Sequence, residues 1–295
     1  MTAEEAAEAA GAVTEHRPLL LGLAYRMIGS LPDAEDILQD AYLRWLGTDR
    51  TRVAEPRRYL TRTVTRLAID RLRARQAARE TYIGPWLPEP VPTTDEPFGP
   101  LDRAERRDTL NLALLHLLER LTPVERAVWL LHTAFDLPYA EIAEILDRTP
   151  EGCRQLHHRA AARLARGRAR FTAEPAEQER LLGAFLAAAR DGDLRALTAL
   201  VAADATAWTD GGGRVKAARN PVVGADRIAR FFAGILDPVR AASRLTPIEV
   251  NGWPAVLVQQ RSGSRYVLTV AAAAGRITNI YLIGNPDKVP VIGGT

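Results

Sequence analysis

The sequence is poor in several features, and each shortage narrows what this chain of 295 residues can be. A single cysteine, Cys153, excludes an internal disulfide framework and a cysteine-based zinc site. No run of about 18 apolar residues is present, so no membrane-spanning helix is expected. The first residues lack the basic and apolar segments of a secretion signal. These absences predict a cytoplasmic protein with no membrane partner.

Lysine is scarce too: Lys216 and Lys288 are the two lysines among 39 basic residues. The net charge is only +3, but charge alternates along the chain. Residues 1–43 carry 8 acidic and 2 basic groups, and residues 44–80 carry 11 arginines and 4 acidic groups. Residues 148–175 carry 7 basic and 2 acidic groups. Two separated arginine-rich segments indicate two contacts with a polyanion, and the acidic segments remain for another partner.

The first 80 residues have the pattern of amphipathic helices. Ser30-Leu31-Pro32-Asp33 is a capping sequence, and apolar residues recur at helical spacing from Ala34 to Trp45. Another helix is expected from about Pro56, with arginines on its outer side. A helical domain is therefore predicted over residues 10–80. It is followed by a linker, residues 81–107, whose six prolines favour an extended chain.

Residues 108–172 return to a helical pattern. Thr122-Pro123-Val124-Glu125 has the form of a capping box. A short amphipathic helix after Pro138, a tight turn, and a longer basic helix capped by Thr149-Pro150-Glu151 predict a helix-turn-helix. An ordinary helical hairpin is the alternative.

Residues 176–295 change character. Two helices precede a series of strand-like segments separated by turn signals such as Asn251-Gly252. The predicted strands cover residues 205–209, 214–218, 244–250, 255–261, 265–272 and 277–283. Helices followed by a curved antiparallel sheet predict an α+β cone.

Several motifs resemble one family. The segments DAEDILQD (residues 33–40) and RLAIDRLR (66–73), followed by the helix-turn-helix, resemble an extracytoplasmic-function (ECF) sigma factor, a bacterial transcription initiation factor. The segments YIGPWLPEP (82–90), DGGG (210–213) and NPDK (285–288) are similar to the sigma-J-like subgroup. Arg214 and Val289 stand where that subgroup usually has Lys and Leu.

The resemblance implies a multi-domain fold and a function. Two all-α domains, sigma region 2 and sigma region 4, would be followed by a SnoaL-like domain of the NTF2 fold at residues 176–295. Core RNA polymerase and promoter DNA would be the partners, through the β′ clamp helices and the β flap. The acidic face that is expected to bind the clamp helices consists of Asp36, Gln39, Asp40 and Leu43. A solvated acidic face with no partner is the alternative interpretation of the same residues.

Arginine binds phosphates, and arginine and glutamine read the edges of guanine and adenine. The residues predicted at the −10 element are Arg62, Thr65, Arg66, Arg73 and Arg75. The residues predicted at the −35 element are Arg154, Gln155, His158, Arg159 and Arg163. Cys153 and His157 are expected to pack in the core.

The resemblance also implies that the fused domain regulates the sigma regions without a separate anti-sigma factor. The expected contact residues are Trp86, Pro88, Asp210, Gly211, Gly212, Gly213, Asn285, Pro286, Asp287 and Lys288. No catalytic residue, metal or cofactor is expected, although a cone of this fold can enclose a small-molecule ligand. Two alternatives remain: a helix-turn-helix regulator that acts without polymerase, and an NTF2-like enzyme using an Asp base with Tyr266 or Tyr281.

Overall fold

The structure is a computed structural model that describes residues 3–78, 82–93, 98, 108–235 and 243–289. Parts of the predicted linker (94–97 and 99–107) and the C-terminal residues 290–295 lie outside the described residues. Two compact units divide the chain: residues 1–80, 96–110 and 118–164 form the first, and residues 81–95, 111–117 and 165–295 form the second. In the described ranges, no helix is long and apolar enough to cross a membrane.

The helices of the described residues are α1 (Ala3–Ile28), α2 (Leu31–Leu46), α3 (Pro56–Ala78), α4 (Leu112–Leu118), α5 (Pro123–Thr133), α6 (Tyr139–Leu146), α7 (Pro150–Arg168), α8 (Pro175–Asp191), α9 (Leu194–Leu200) and α10 (Ala225–Ile235). The strands are β1 (Val201–Asp210), β2 (Val222–Val223), β3 (Ser243–Val250), β4 (Trp253–Gln260), β5 (Arg265–Ala273) and β6 (Arg276–Ile283). A 3-10 turn, Arg50–Arg52, precedes α3.

The first unit is helical. Helix α2 begins where its capping sequence predicts, with the Ser30 hydroxyl accepting from the backbone N–H of Asp33 at 3.5 Å. Its apolar face, from Ala34 to Trp45, is buried against α1 and α3. Burial of that face, rather than helix propensity alone, supplies most of the stability of such a helix. The predicted amphipathic helix is confirmed.

The helix-turn-helix is formed by α6 and α7. Asp147 ends α6 in the left-handed conformation (φ 51°), which an aspartate tolerates better than most residues. The Thr149 hydroxyl then accepts from the backbone N–H of Gly152 at 3.1 Å and caps α7. Cys153 and Leu164 are fully buried, so this face of α7 packs inward as predicted.

The second unit holds a six-stranded sheet in the order β2-β1-β6-β5-β4-β3. β1 pairs with β6 in parallel, whereas the other neighbours are antiparallel. The prediction of an antiparallel sheet was therefore wrong for this pair. The predicted strand at 214–218 was also wrong, because the Thr209 hydroxyl bonds the backbone of Ala218 in both directions and the segment forms a loop.

Helices α8, α9 and α10 bury their apolar faces against this sheet, and Phe185 and Phe232 meet at 5.2 Å between ring centroids. The expected fold class is confirmed: two all-α sigma regions followed by an α+β domain of the NTF2/SnoaL-like type. The predicted domain boundaries differ from the compact units. Residues of both sigma regions fall in the first unit, and linker residues 82–93 belong to the second.

Candidate functional site

An acidic face lies on the exposed side of α2. Asp36, Gln39 and Asp40 are exposed, and Leu43 leaves 57% of its surface accessible. Arg71 of α3 donates to Asp36 at 3.0 Å and to Asp33 at 2.8 Å. The four predicted polymerase-contact residues therefore share one accessible surface, part of whose charge Arg71 balances.

Three arginines of α3 form what we call the arginine face: Arg58, Arg62 and Arg66. Acidic residues of α6 and its cap occupy this face in the structure. Asp147 pairs with Arg62 at 3.0 Å and also with Arg66, while Glu144 pairs with Arg58. The Arg66 Nε atom donates to the carbonyl of Ile145 at 3.0 Å. Two carboxylates and a carbonyl thus occupy the guanidinium groups of this face.

Two residues predicted at the −10 element do not lie on this face. Thr65 is fully buried inside the helical unit. Arg75 is largely buried, donating to the Ile28 carbonyl at 2.5 Å and to Glu119 at 3.1 Å. Those two assignments are corrected, because the apolar interior of the unit and the carboxylate of Glu119 enclose the two side chains. Arg73 is exposed and pairs with Asp70.

Glu119 joins two buried guanidinium groups. Arg126 donates to it at 2.6 Å and to the carbonyl of Met27, at the C-terminal end of α1, also at 2.6 Å. Burial lowers the pKa of Arg126 to about 9, and burial together with the charge of Arg126 lowers the pKa of Arg75 to about 9. Both groups remain charged at neutral pH, so one carboxylate and the α1 carbonyls hold two cations in the interior.

The predicted −35 residues lie on the exposed side of α7. They are Arg154, Gln155, His158, Arg159 and Arg163. Arg163 reaches back to Glu125 of the capping box at 2.6 Å, and Arg154 pairs with Glu151. All five side chains remain accessible on this side of α7.

A small cluster of ring side chains connects α7 to α5 and α6. His157 bonds Tyr139 through Nδ1 at 3.0 Å and Thr133 through Nε2 at 3.2 Å, and its ring meets that of His132 at 4.5 Å. Burial, then the charges of His132 and His158, lower the pKa of His157 below 6.5. The ring therefore favours its neutral form in the folded chain.

This lowered pKa predicts acid sensitivity of the helix-turn-helix. The unfolded chain binds a proton more readily than the folded chain does. The contribution of neutral His157 to the free energy of unfolding is therefore complete above pH 6.5, and it is lost as the pH falls through the pKa of the folded chain. Thermal unfolding from about pH 7 to about pH 5 should show a fall in Tm that His157→Gln reduces. His16→Gln, a substitution on α1 outside the helix-turn-helix, is the control. An equal fall in all three proteins would contradict this role.

Asp210 is the centre of a buried cluster in the second unit, which we call the linker latch. The residue is 1% exposed at the end of β1. One carboxylate oxygen accepts from the Tyr82 hydroxyl at 2.5 Å and from the N–H of Gly212 at 3.0 Å. The other accepts from the N–H of Leu87 at 2.9 Å and from Lys288 Nζ at 2.7 Å. A single aspartate therefore joins the linker, the glycine loop and the C-terminal segment.

Lys288 completes the linker latch. Its ammonium group is buried, donates to the Leu87 carbonyl at 2.6 Å, and lies 4.0 Å from the centroid of the Trp86 ring and 5.2 Å from that of Tyr82. Desolvated cations gain about 2 kcal/mol or more from aromatic faces. Burial and then the hydrogen bond to Asp210 raise the pKa of Tyr82, so its phenol stays protonated as a donor.

The glycine loop fits closely around Asn285. Gly212 has φ 57°, and a Cβ atom there would collide with the Asn285 side chain, whose Nδ2 donates to the Tyr82 hydroxyl at 3.2 Å. Pro88 is buried nearby in the linker, while Gly213, Pro286 and Asp287 are exposed. The structure thus brings most of the predicted contact residues together within one unit.

Sequence reasoning missed the rest of the linker's contacts. Val91 and Asn251 exchange two hydrogen bonds of 2.8 and 2.9 Å, and Pro92 bridges Val250 at the end of the edge strand β3. The N–H of Gly252 donates to Thr93 at 2.9 Å. In the sequence, Asn251-Gly252 indicates a hairpin turn, and this local pattern does not predict a distant partner.

Metal chemistry finds no support in the described part of the chain, where no group of three or more His, Cys, Asp or Glu side chains is placed to hold an ion. Tyr266 and Tyr281, the oxyanion donors of the enzyme alternative, are buried in the sheet. Tyr281 lies against His116 of α4 at 5.7 Å between ring centroids.

Comparison with known proteins agrees with this architecture. The Sigma-70 region 2 family matches residues 12–78, and the Sigma-70 region 4 family matches residues 111–164. The chain is 34% identical over 282 residues to the ECF RNA polymerase sigma factor SigJ of Mycobacterium tuberculosis, covering 92% of this chain and 90% of SigJ. It is 33% identical over 277 residues to the probable ECF RNA polymerase sigma factor SigI of that species, covering 93% and 92%.

The crystal structure of SigJ matches 92% of this chain and 95% of SigJ, with a TM-score of 0.74 and 32% identity. Two helical sigma regions with a fused α+β domain define the class of protein. The chain belongs to the ECF RNA polymerase sigma factors, and among them it is similar to SigJ, as the linker and glycine-loop motifs predicted.

Proposed function

We propose that this chain directs core RNA polymerase to promoters and that its closed form covers the arginine face of α3. The acidic face of α2 binds the polymerase clamp, and the exposed side of α7 reads the −35 element. Arg62, Arg66 and Arg73 contact DNA near the −10 element. The chain is similar over 92% of its length to an ECF sigma factor, and this supports the general activity.

One observation carries the closed form: Asp147 pairs with both Arg62 and Arg66. Phosphates and these carboxylates compete for the same guanidinium groups, so DNA binding requires α6 to leave α3. Ion pairs that are one-third to two-thirds exposed are weak, each contributing about 0–1 kcal/mol. The contact is therefore weak enough to be displaced when polymerase and promoter bind.

The fused domain acts in this proposal through the linker. Residues 82–93 are held by the linker latch and by the Val91–Asn251 contact, so this part of the segment between the two sigma regions is not free to extend. Release of the linker would allow the two regions to separate toward their promoter elements. This regulation needs no separate anti-sigma protein, and a small molecule bound by the fused domain would be a suitable signal.

The enzyme alternative is less well supported. A general base needs an accessible carboxylate close to its substrate. Asp210, the buried acid of the fused domain, accepts four hydrogen bonds from Tyr82, Leu87, Gly212 and Lys288 instead. We therefore assign this domain a regulatory role and no catalytic step.

Neutralising the acids on the arginine face tests the closed form. The variant Glu144→Gln with Asp147→Asn should bind a forked −10 DNA about tenfold more tightly than the parent, since it loses three competing ion pairs. Asn tolerates the left-handed conformation that Asp147 adopts (φ 51°). Fluorescence anisotropy at fixed salt measures the affinity.

The matched control is Glu141→Gln with Asp136→Asn. It removes the same charge, one acid on α6 and one at a left-handed position (φ 53°), away from the arginine face. A gain in DNA affinity that is equal in the two double variants would mean that net charge, and not the α3 contact, limits binding.

A further inference from the structure

A groove runs along the second unit between α8 and the strands β3 and β4. It encloses about 310 Å³ and is lined mainly by apolar side chains, among them Leu182, Leu186, Pro247 and Ile248. β3 is the last strand of the sheet, so no neighbouring strand of the described chain closes this side. The side chains of Pro247 and Ile248 therefore stay at least partly accessible along the groove.

The charges on α8 indicate which partner fits. Glu179 and Arg190 line the two ends of the groove, and Arg180 and Asp191 are exposed beside them. Residues eleven apart lie about three turns apart and so on nearly the same side of a helix, which places Glu179 with Arg190 on one side of α8 and Arg180 with Asp191 on another. The midpoint of the pair 179 and 190, and that of the pair 180 and 191, both fall at residue 185 within half a residue.

A second α8 laid antiparallel across this midpoint would meet complementary charges at each end. Glu179 would face Arg190 of the second copy, and Arg180 would face Asp191 of the second copy. Eleven residues separate Glu179 from Arg190, about 16 Å along the helix axis, so the two ends act independently. Each contact occurs twice, as a two-fold axis requires. Within the described part of the single chain, the ion-pair contact of Arg190 is a long one, 3.7 Å to its neighbour Asp191.

The middle of this surface has room for a second helix. Gly183 and Ala187 are exposed at the centre of the groove, and their midpoint is again residue 185. A Cβ atom added at Gly183 would meet nothing within 4 Å in the single chain. Small residues at that point allow close approach of a partner helix, whose apolar face would cover the groove.

From the groove and the matching charges we propose that α8 and the β3–β4 edge form a two-fold interface between copies of this chain. The proposal concerns the fused domain alone and does not depend on the activity proposed above. At micromolar concentrations the full chain should sediment with about twice its 32.4 kDa mass.

Gly183→Leu is the first test, with Gly234→Leu on α10 as its matched control. An added Cβ meets nothing within 4 Å at either glycine, and leucine favours helix at both. Both variants should therefore fold. Sedimentation velocity should show a monomer for Gly183→Leu and a dimer for Gly234→Leu. A parent that stays monomeric, or a Gly183→Leu variant that still forms a dimer, would overturn the interface.

Charge exchange tests the antiparallel register. Glu179→Arg alone and Arg190→Glu alone should each raise the dimer dissociation constant about tenfold or more, since every reversal acts twice across the axis. The double variant restores both pairs with their signs exchanged, and its dissociation constant should return toward the parent value. A double variant weaker than either single one would refute this register.

Discussion

Asp210→Ala should lower the free energy of unfolding by about 3–5 kcal/mol, because removing one partner leaves a buried charge uncompensated. The ammonium of Lys288 would keep its aromatic neighbours and the Leu87 carbonyl but lose its carboxylate. The Tyr82 hydroxyl and two backbone N–H groups would lose their acceptor as well. Denaturant unfolding, followed by the tryptophan fluorescence that includes Trp86, measures the change.

Two controls separate the linker latch from a general effect of charge. Asp204→Ala removes a carboxylate of the same domain that pairs with Arg170 but is 74% exposed, so a loss of about 1 kcal/mol or less is expected. Asp210→Asn with Lys288→Met removes both charges and should recover part of the loss. The linker latch is refuted as a stabilising contact if Asp210→Ala costs no more than Asp204→Ala.

Asp36→Arg with Asp40→Arg should weaken binding of core RNA polymerase about a hundredfold or more. Two carboxylates on the acidic face of α2 would become cations facing a basic clamp, and like charges across an interface cost several kcal/mol. Both side chains are exposed, and among the residues that the structure describes only Asp36 has an ion-pair partner, Arg71, so the fold should survive. Pull-down of core polymerase over a range of concentrations measures the change.

Glu15→Arg with Asp226→Arg is the matched control. It makes the same change in net charge at exposed positions on α1 and α10. Circular dichroism and Tm confirm that both double variants are folded. If the control loses as much affinity as the α2 variant, the acidic face has no specific role in polymerase binding.

Local signals predicted much of this fold from sequence. The Ser30 cap, the apolar periodicity of α2, the Thr122–Glu125 capping box and the helix-turn-helix all depend on residues within a few positions of each other. Each of them formed as predicted. Exposure of Leu43 followed from the same periodicity.

Long-range pairings could not be predicted in this way. Asp210 before three glycines has the composition of a hairpin turn, yet it lies buried at the end of β1 with a partner 78 residues away in Lys288. The parallel pairing of β1 with β6 leaves no local sign, since either direction buries the same alternating residues. Arg75 resembles its exposed neighbours in sequence, and its burial follows from contacts with Ile28 and Glu119, which are more than 40 residues away.

Run-off transcription with core RNA polymerase, the full chain and a promoter library tests the central claim most directly. Transcripts should depend on this chain and should increase with Glu144→Gln plus Asp147→Asn, which frees the arginine face of α3. They should disappear with Asp36→Arg plus Asp40→Arg. Failure of both the parent and the freed variant to support transcription, while another sigma factor activates the same core enzyme, would contradict the proposed function.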